Sequence, residues 1–159
     1  MREQPGHDGY ELAYQEGLRG LAQQQATLSG LHARAGTLLA AASIVTVFLG
    51  ELALGDDGLT VLGWLAIILF LAAAGAVVFV LKPRGPWHFR FSPADIIRNY
   101  VEDDPSAPLW VIHKQLAEHM ERDLTTNDEK MERLLRVLQL ANVFLAFEVV
   151  AWLVILMGR

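Results

Sequence analysis

The chain has no cysteine among its 159 residues, which excludes disulfides and thiolate chemistry. It has no Lys or Arg inside its three longest apolar runs, residues 35–54, 59–81 and 137–157. It contains no H-E-x-x-H pair, no phosphate-binding P-loop and no G-x-S-x-G nucleophile motif, so no enzyme class announces itself. Positive charge is also scarce. Thirteen Lys and Arg stand against eighteen Asp and Glu, a net charge of −5, and no nucleic-acid partner is expected without a basic stripe. Residues 1–10 lack the basic start and early apolar run of a cleaved signal peptide, so the first apolar run is expected to act as its own insertion signal.

What the chain does have is apolar length. Hydrophobic residues make up 53%, and the excess over a soluble average of about 45–50% is modest because it is concentrated in three runs. At about 1.5 Å per residue, some 20 apolar residues cross a hydrocarbon core about 30 Å thick. Each run has that length, and backbone polar groups in lipid must pair within their own helix. The expected fold is an all-α integral membrane protein with three transmembrane helices and a small helical cytosolic module. Residues 1–34 are expected to form a cytosolic amphipathic helix and 35–81 a transmembrane hairpin of spans 35–54 and 59–81. Residues 82–136 would be a cytosolic helical segment and 137–157 the third span.

The basic residues set an orientation. Arg2, Arg19 and Arg34 precede the first span, and the connection 51–58 carries only Glu51, Asp56 and Asp57. Nine Lys and Arg fall between the second and third spans, and only Arg159 follows the third. Basic flanks stay cytoplasmic, so the N-terminus is expected inside and the C-terminus outside.

Tyr14, Leu18, Leu21, Gln25, Leu28, His32 and Ala35 step by four and three, as a heptad seam does. No proline separates this seam from the first span. Gly17, Gly20 and Gly30 each cost about 1 kcal/mol against Ala inside a helix, so the cytosolic part needs a packing partner from this chain or another copy. Two small-residue pairs, Gly36 with Ala40 and Ala72 with Ala76, are expected to let the first two spans pack closely around the turn at 55–58. Ser92-Pro93-Ala94-Asp95 reads as a helix start with Ser92 capping, ending near Asp103 or Asp104. Leu109, Ile112, Leu116, Met120 and Leu124 step at helical spacing, resumed by Met131, Leu134 or Leu135, and Leu138. Either one helix runs from about 109 to 157, the reading preferred because no Gly or Pro interrupts it, or a break falls near Thr126.

Candidate chemistry is confined to a few side chains. Glu148 lies near the middle of the third span, where a carboxylate is costly unless paired, protonated or hydrated. It is either an element of a pore, a proton site or an interhelical clamp, or a protonated Glu hydrogen-bonded to a neighbouring helix purely for packing. Asn142 and Gln139 are expected to join helices by hydrogen bonds. At 100° per residue Glu148 stands about 180° from Gln139 and about 120° from Asn142, so the three form no common stripe. His113 and His119 are six apart rather than three or four, so no metal site is expected, and no cofactor. Arg34, Lys82 and Arg84 read as headgroup and topology residues. His88, Arg90, Arg98 and Lys114 are the candidates for an anionic ligand, with a plain solvated face as the alternative.

One set of residues resembles a known family. It comprises His32-Ala33-Arg34-Ala35-Gly36 at the start of the first span, Pro83-Arg84 after the second, and Phe91 followed by Asp95-Ile96-Ile97 and Tyr100. A helix with His113 and Leu116 follows, then Asn127 with Lys130 before the last span. Over residues 28–159 their order and spacing resemble the bacterial Pycsar effector-type transmembrane proteins. Related two-helix effectors that accompany second-messenger synthases are similar in hydropathy. Position 34 is Arg where that family commonly has Lys, which keeps the charge but not its geometry.

The resemblance implies an antiphage effector that a cyclic pyrimidine nucleotide activates to impair the bacterial inner membrane. The expected protein is therefore non-enzymatic, with the lipid bilayer, a cyclic nucleotide and further copies of itself in a homo-oligomer as partners. The rival expectation is a non-catalytic scaffold or assembly subunit of a membrane complex, docking through its N-terminal heptads.

Overall fold

A computed structural model describes residues 7–53, 58–82, 87–89 and 92–158. The chain is all-α, with no strand among the described residues. In order come α1 (His7–Ala53), α2 (Val61–Leu81), α3 (Pro93–Ile96), a π-helical turn (Ile97–Val101) and α4 (Leu109–Met157). Three of these helices are long and apolar enough to cross a membrane. Helix α2, with 21 residues, matches one crossing. Helices α1 and α4, with 47 and 49 residues, extend about 70 Å each, more than twice a hydrocarbon core. No break occurs at Thr126. The Thr125 and Thr126 hydroxyls donate to the carbonyls of Glu121 and Arg122, both at 2.9 Å, so their side chains bond within the helix they might have interrupted.

The chain divides into two compact units. A polar unit combines Met1–Leu28 with Arg84–Met131, and an apolar unit combines Ser29–Pro83 with Glu132–Arg159.

Within the polar unit α1 and α4 run parallel, because their contacts advance together. Tyr10 stacks on Trp110, Tyr14 stacks on His113 with centroids 5.0 Å apart, and Gln24 meets Asn127. Leu21, Leu116 and Met120 form the core, with Tyr14, Ile96, Tyr100, Ile112 and Leu124 packed around them. The packing partner that α1 needs thus comes from its own chain. The heptad period holds, but alternate seam positions are shifted by one residue. Gln24 is buried where Gln25 was expected, and Leu18 is exposed while Gly17 faces α4; in the apolar unit Leu31 is buried where His32 was expected. A β-carbon on Gly17 would lie 2.7 Å from the Met120 sulfur, so only glycine permits this approach without movement. In the apolar unit Leu134 is buried and Leu135 exposed.

Helix α3 is shorter than its sequence suggests. Pro93 occupies the first turn, and the Ser92 carbonyl accepts from the Asp95 and Ile96 amides, but the Ser92 hydroxyl makes no cap. After one turn the helix widens, and the Glu102 amide reaches back five residues to the Ile97 carbonyl at 2.8 Å. Ile96 and Tyr100 from this segment both pack on the polar unit's core. The connection to α4 is a turn in which the Ser106 amide and hydroxyl donate to Asp104 at 3.1 and 2.7 Å. Those bonds hold the Asp104 carboxyl below its ordinary range.

The apolar unit buries a series of alanines beside a few large side chains such as Trp152 and Ile155, and exposes many large apolar ones. Ala35, Ala42, Ala53, Ala66, Ala73, Ala141 and Ala151 are buried, while Ile44, Val47, Phe48, Trp64 and Phe147 are exposed. This is the arrangement expected where lipid is as apolar as the core and helix association rests on close contact. The interface alanines are not the expected pairs. Ala40 and Ala72 are exposed, and a β-carbon on Gly36 would touch nothing within 4 Å, whereas Ala35 with Ala42 and Ala66 with Ala73 repeat at seven residues. Trp152 and Ile155 close one core cluster against Ala53, Ala66 and Ala151. Helix α2 starts at Thr60, whose hydroxyl oxygen accepts from the Gly63 amide at 3.2 Å. Of the turn expected at 55–58, only Gly58 lies within the described residues, and its φ of 81° is one that glycine adopts without strain.

Candidate functional site

Two buried polar nodes and one cleft carry the chemistry of the described residues. The first node belongs to the polar unit. Asn127 is fully buried, and its Nδ2 donates to Gln24 Oε1 at 3.2 Å and to the His88 carbonyl at 3.0 Å. Gln24 Nε2 donates to the Leu124 carbonyl at 2.9 Å and to Asp128 Oδ1 at 2.7 Å. All four amide protons are therefore used. Both partners of Asn127 Nδ2 are acceptors, which fixes the amide's orientation, since a flip would set oxygen against oxygen. Its Oδ1 is left buried without a partner. The backbone at His88 is further held by stacking of Trp87 on Phe89 and by the Lys130 ammonium 5.6 Å from the Trp87 ring centre.

Beside this node lies a cleft of about 190 Å³ lined by His88, Ser92, Asp95, Asn99, Tyr100, His119 and Asp123. Three separate stretches supply these residues: the segment at 87–89, the α3–π turn, and one face of α4. The Tyr100 hydroxyl lies 3.0 Å from His119 Nδ1, and His119 Nε2 lies 3.8 Å from Asp123. One ring nitrogen of His119 thus meets Tyr100 and the other faces Asp123. This clasp, with the packing of Ile96 and Tyr100, holds the turn on α4.

The candidate ligand residues do not converge. His88 lines the cleft, and Arg98 sits at its edge, paired with the lining Asp95 at 2.9 Å while its side chain stays 71% exposed. Lys114 is elsewhere on α4, 3.9 Å from Glu118 and 6.0 Å from the Tyr10 ring centre. Arg90 lies outside the described residues. His113 is engaged by Tyr14 and His119 by Tyr100, and no group of three His, Asp or Glu among the described residues is placed to hold a metal ion.

The second node belongs to the apolar unit, where Thr46 and Glu148 again set α1 and α4 parallel. Glu148 is 1% exposed. Its Oε1 is hydrogen-bonded to the Thr46 hydroxyl and accepts from Trp152 Nε1 at 3.2 Å. Glu148 thus lies on the packed face of α4, away from Gln139 and Asn142, which are both exposed. Asn142 does not join helices: it donates to the Leu138 carbonyl of its own helix at 3.0 Å. Gln24, Thr46 and Trp152 went unnoticed in the sequence as site residues. Continuing from Asn127 in sevens reaches Leu134, Ala141 and Glu148, all of them buried, and that count alone would have marked Glu148 as a packed position.

Comparison with known proteins finds no family model, curated protein or solved structure that matches this chain.

Proposed function

We propose that this chain is a non-enzymatic membrane effector that a cyclic nucleotide activates, and that it impairs the bacterial inner membrane as a homo-oligomer in antiphage defence. In this reading the N-terminus faces the cytoplasm and the C-terminus the exterior. The observation that carries it is the cleft between the α3–π turn and α4: it opens on the polar unit, and α4, like α1, also supplies the apolar unit. A ligand that shifts the turn acts on a helix that continues into an apolar span. At about 190 Å³ the cleft is smaller than the 300–1,000 Å³ common for drug-sized ligands, so it accommodates one ring-sized group. Asn99, Asp123 and the Tyr100 hydroxyl offer donors and acceptors for such a ring. Arg98, at the edge, would exchange Asp95 for a phosphate.

The test is thermal unfolding of the full-length protein in detergent across a panel of cyclic nucleotides, paired with membrane-potential measurements in cells supplied with the same compounds. One cyclic nucleotide should raise the midpoint and depolarise cells, and Arg90→Ala with Arg98→Ala should remove both effects while leaving insertion intact. Binding undiminished in the double variant would remove the two arginines from the site. A panel with no shift and no depolarisation would remove the function.

A further inference from the structure

The apolar unit has an open, mostly apolar groove that the proposed function does not use. Its wall includes Val47, Gly50 and Glu51 of α1, Leu59 just before α2, Ile67 within α2, and Trp152 of α4, and its volume is about 400 Å³. We propose that this groove holds one acyl chain of a phospholipid whose ammonium headgroup pairs with Glu51, a phosphatidylethanolamine rather than an anionic lipid. The proposal rests on the three long helices lying in a bilayer and is independent of any ligand at the cleft.

The first argument is why the groove exists. Gly50 is buried, and a β-carbon on it would lie 3.7 Å from Cζ2 and Cη2 of Trp152. The edge of the indole is thus the floor of the groove at a point where α1 has no side chain. A longer residue at 50 fits as far as its β-carbon and then fills the space.

The second argument is its polarity along the membrane normal. Glu51 and Leu59 flank the α1–α2 connection. From Glu51 back to Val47 α1 runs about 6 Å inward, and from Val61 to Ile67 α2 runs about 9 Å inward. Both depths fall within one leaflet of about 15 Å, half of the hydrocarbon core. A carboxylate therefore stands at the outer end and apolar side chains line the deeper part, the same order as the headgroup and chain of a lipid. A helix of a second copy, about 10–12 Å across with its side chains, is too broad for a slot that takes up little more than one turn of α1.

The third argument is charge. Lipid tails are as apolar as this wall, so burial alone does not favour the groove over the surrounding bilayer, and the headgroup must decide. Glu51 is exposed, and residues 35–81 and 137–158 contain no Lys, Arg or His, so none of the three spans offers it a cation. In sequence the connection adds Asp56 and Asp57, against Arg159 as the one base that follows α4. An ammonium headgroup complements this acidic end, and a headgroup of net negative charge is repelled by it.

The test uses full-length protein. Native mass spectrometry in detergent, with phosphatidylethanolamine and phosphatidylglycerol of matched chains, should show one retained lipid per chain. Phosphatidylethanolamine should be favoured about two- to fivefold, the scale of one exposed ion pair. Glu51→Gln should equalise the two lipids, and Gly50→Leu should abolish retention of both. In vesicles of phosphatidylglycerol, a trace of phosphatidylethanolamine with a photoactivatable diazirine in one chain should label wild-type Val47, Ile67 and Trp152 above the lipid-facing Ile44, Phe48 and Trp64. Equal retention of the two lipids by wild type, or retention unchanged in Gly50→Leu, would overturn the proposal. Label at Ile44, Phe48 and Trp64 without enrichment in the groove would overturn it while leaving the membrane placement standing, whereas no label anywhere would overturn both. A lipid-free dimer that Gly50→Leu breaks would give the groove to a second copy instead.

Discussion

Asn127 donates to Gln24 across the seam between α4 and α1 at 3.2 Å, in a site sealed from solvent. A polar pair in an otherwise apolar heptad seam favours the register that lets the two groups meet, at some expense of stability. Here it also ties the backbone at His88 to the two helices.

Replacing Asn127 with Asp should therefore unfold the polar unit more readily than replacing it with Leu. The aspartate sets acceptors against Gln24 Oε1 and the His88 carbonyl, whereas Leu removes the donors without adding charge. The expected loss for Asp is about 3 kcal/mol or more, in the range for an uncompensated buried charge, and about 1–3 kcal/mol for Leu. Denaturant unfolding in detergent measures both, and equal losses would argue against the assigned amide orientation.

Two glycines of α1 should respond in opposite directions. Gly17→Leu drives a side chain into Met120 and should destabilise by about 1–3 kcal/mol. Gly30→Ala meets nothing within 4 Å and should stabilise by up to about 1 kcal/mol through helix propensity alone. Thermal midpoints of the two variants, compared with wild type, decide the matter.

Tyr100→Phe should loosen the α3–π turn without disturbing the seam. It removes the 3.0 Å contact to His119, a loss of about 1 kcal/mol. Hydrogen exchange should rise over residues 93–101 and stay unchanged at Met120 and Asn127. Uniform acceleration along α4 would contradict a local clasp.

Ser106→Ala should raise the Asp104 pKa toward its ordinary value. The Ser106 bonds favour the charged carboxylate, so what they contribute to the turn is present above the unfolded pKa and is lost as pH falls through the lowered folded one. Carboxyl titration by NMR of the wild type and the variant reads the difference directly.

Much of this architecture is legible in the residues. Run length and the uninterrupted stretch at 109–157 specify the three long helices, and angular spacing separates Glu148 from Gln139 and Asn142. The seam misleads because Leu18 is the more apolar neighbour of Gly17, while close approach to α4 selects the residue with no side chain. The alanine interface misleads for a related reason. A four-residue spacing brings small residues together on one turn, but two long helices packed along their length select every seventh position, as Ala35 with Ala42 and Ala66 with Ala73 do. The cleft could not be read at all. Its seven lining residues come from three stretches with no shared period, and chain folding alone brings His88 and Tyr100 to Asp123.

The alanine-lined interior of the apolar unit has a practical corollary. Its outer face carries many exposed bulky side chains, so Ile44, Val47, Phe48, Trp64 and Phe147 can be exchanged for Glu and Lys without touching an interhelical contact made by the buried alanines. A redesign confined to that outer face should yield a water-soluble analogue that keeps the Thr46–Glu148–Trp152 cluster, opening it to solution spectroscopy without detergent.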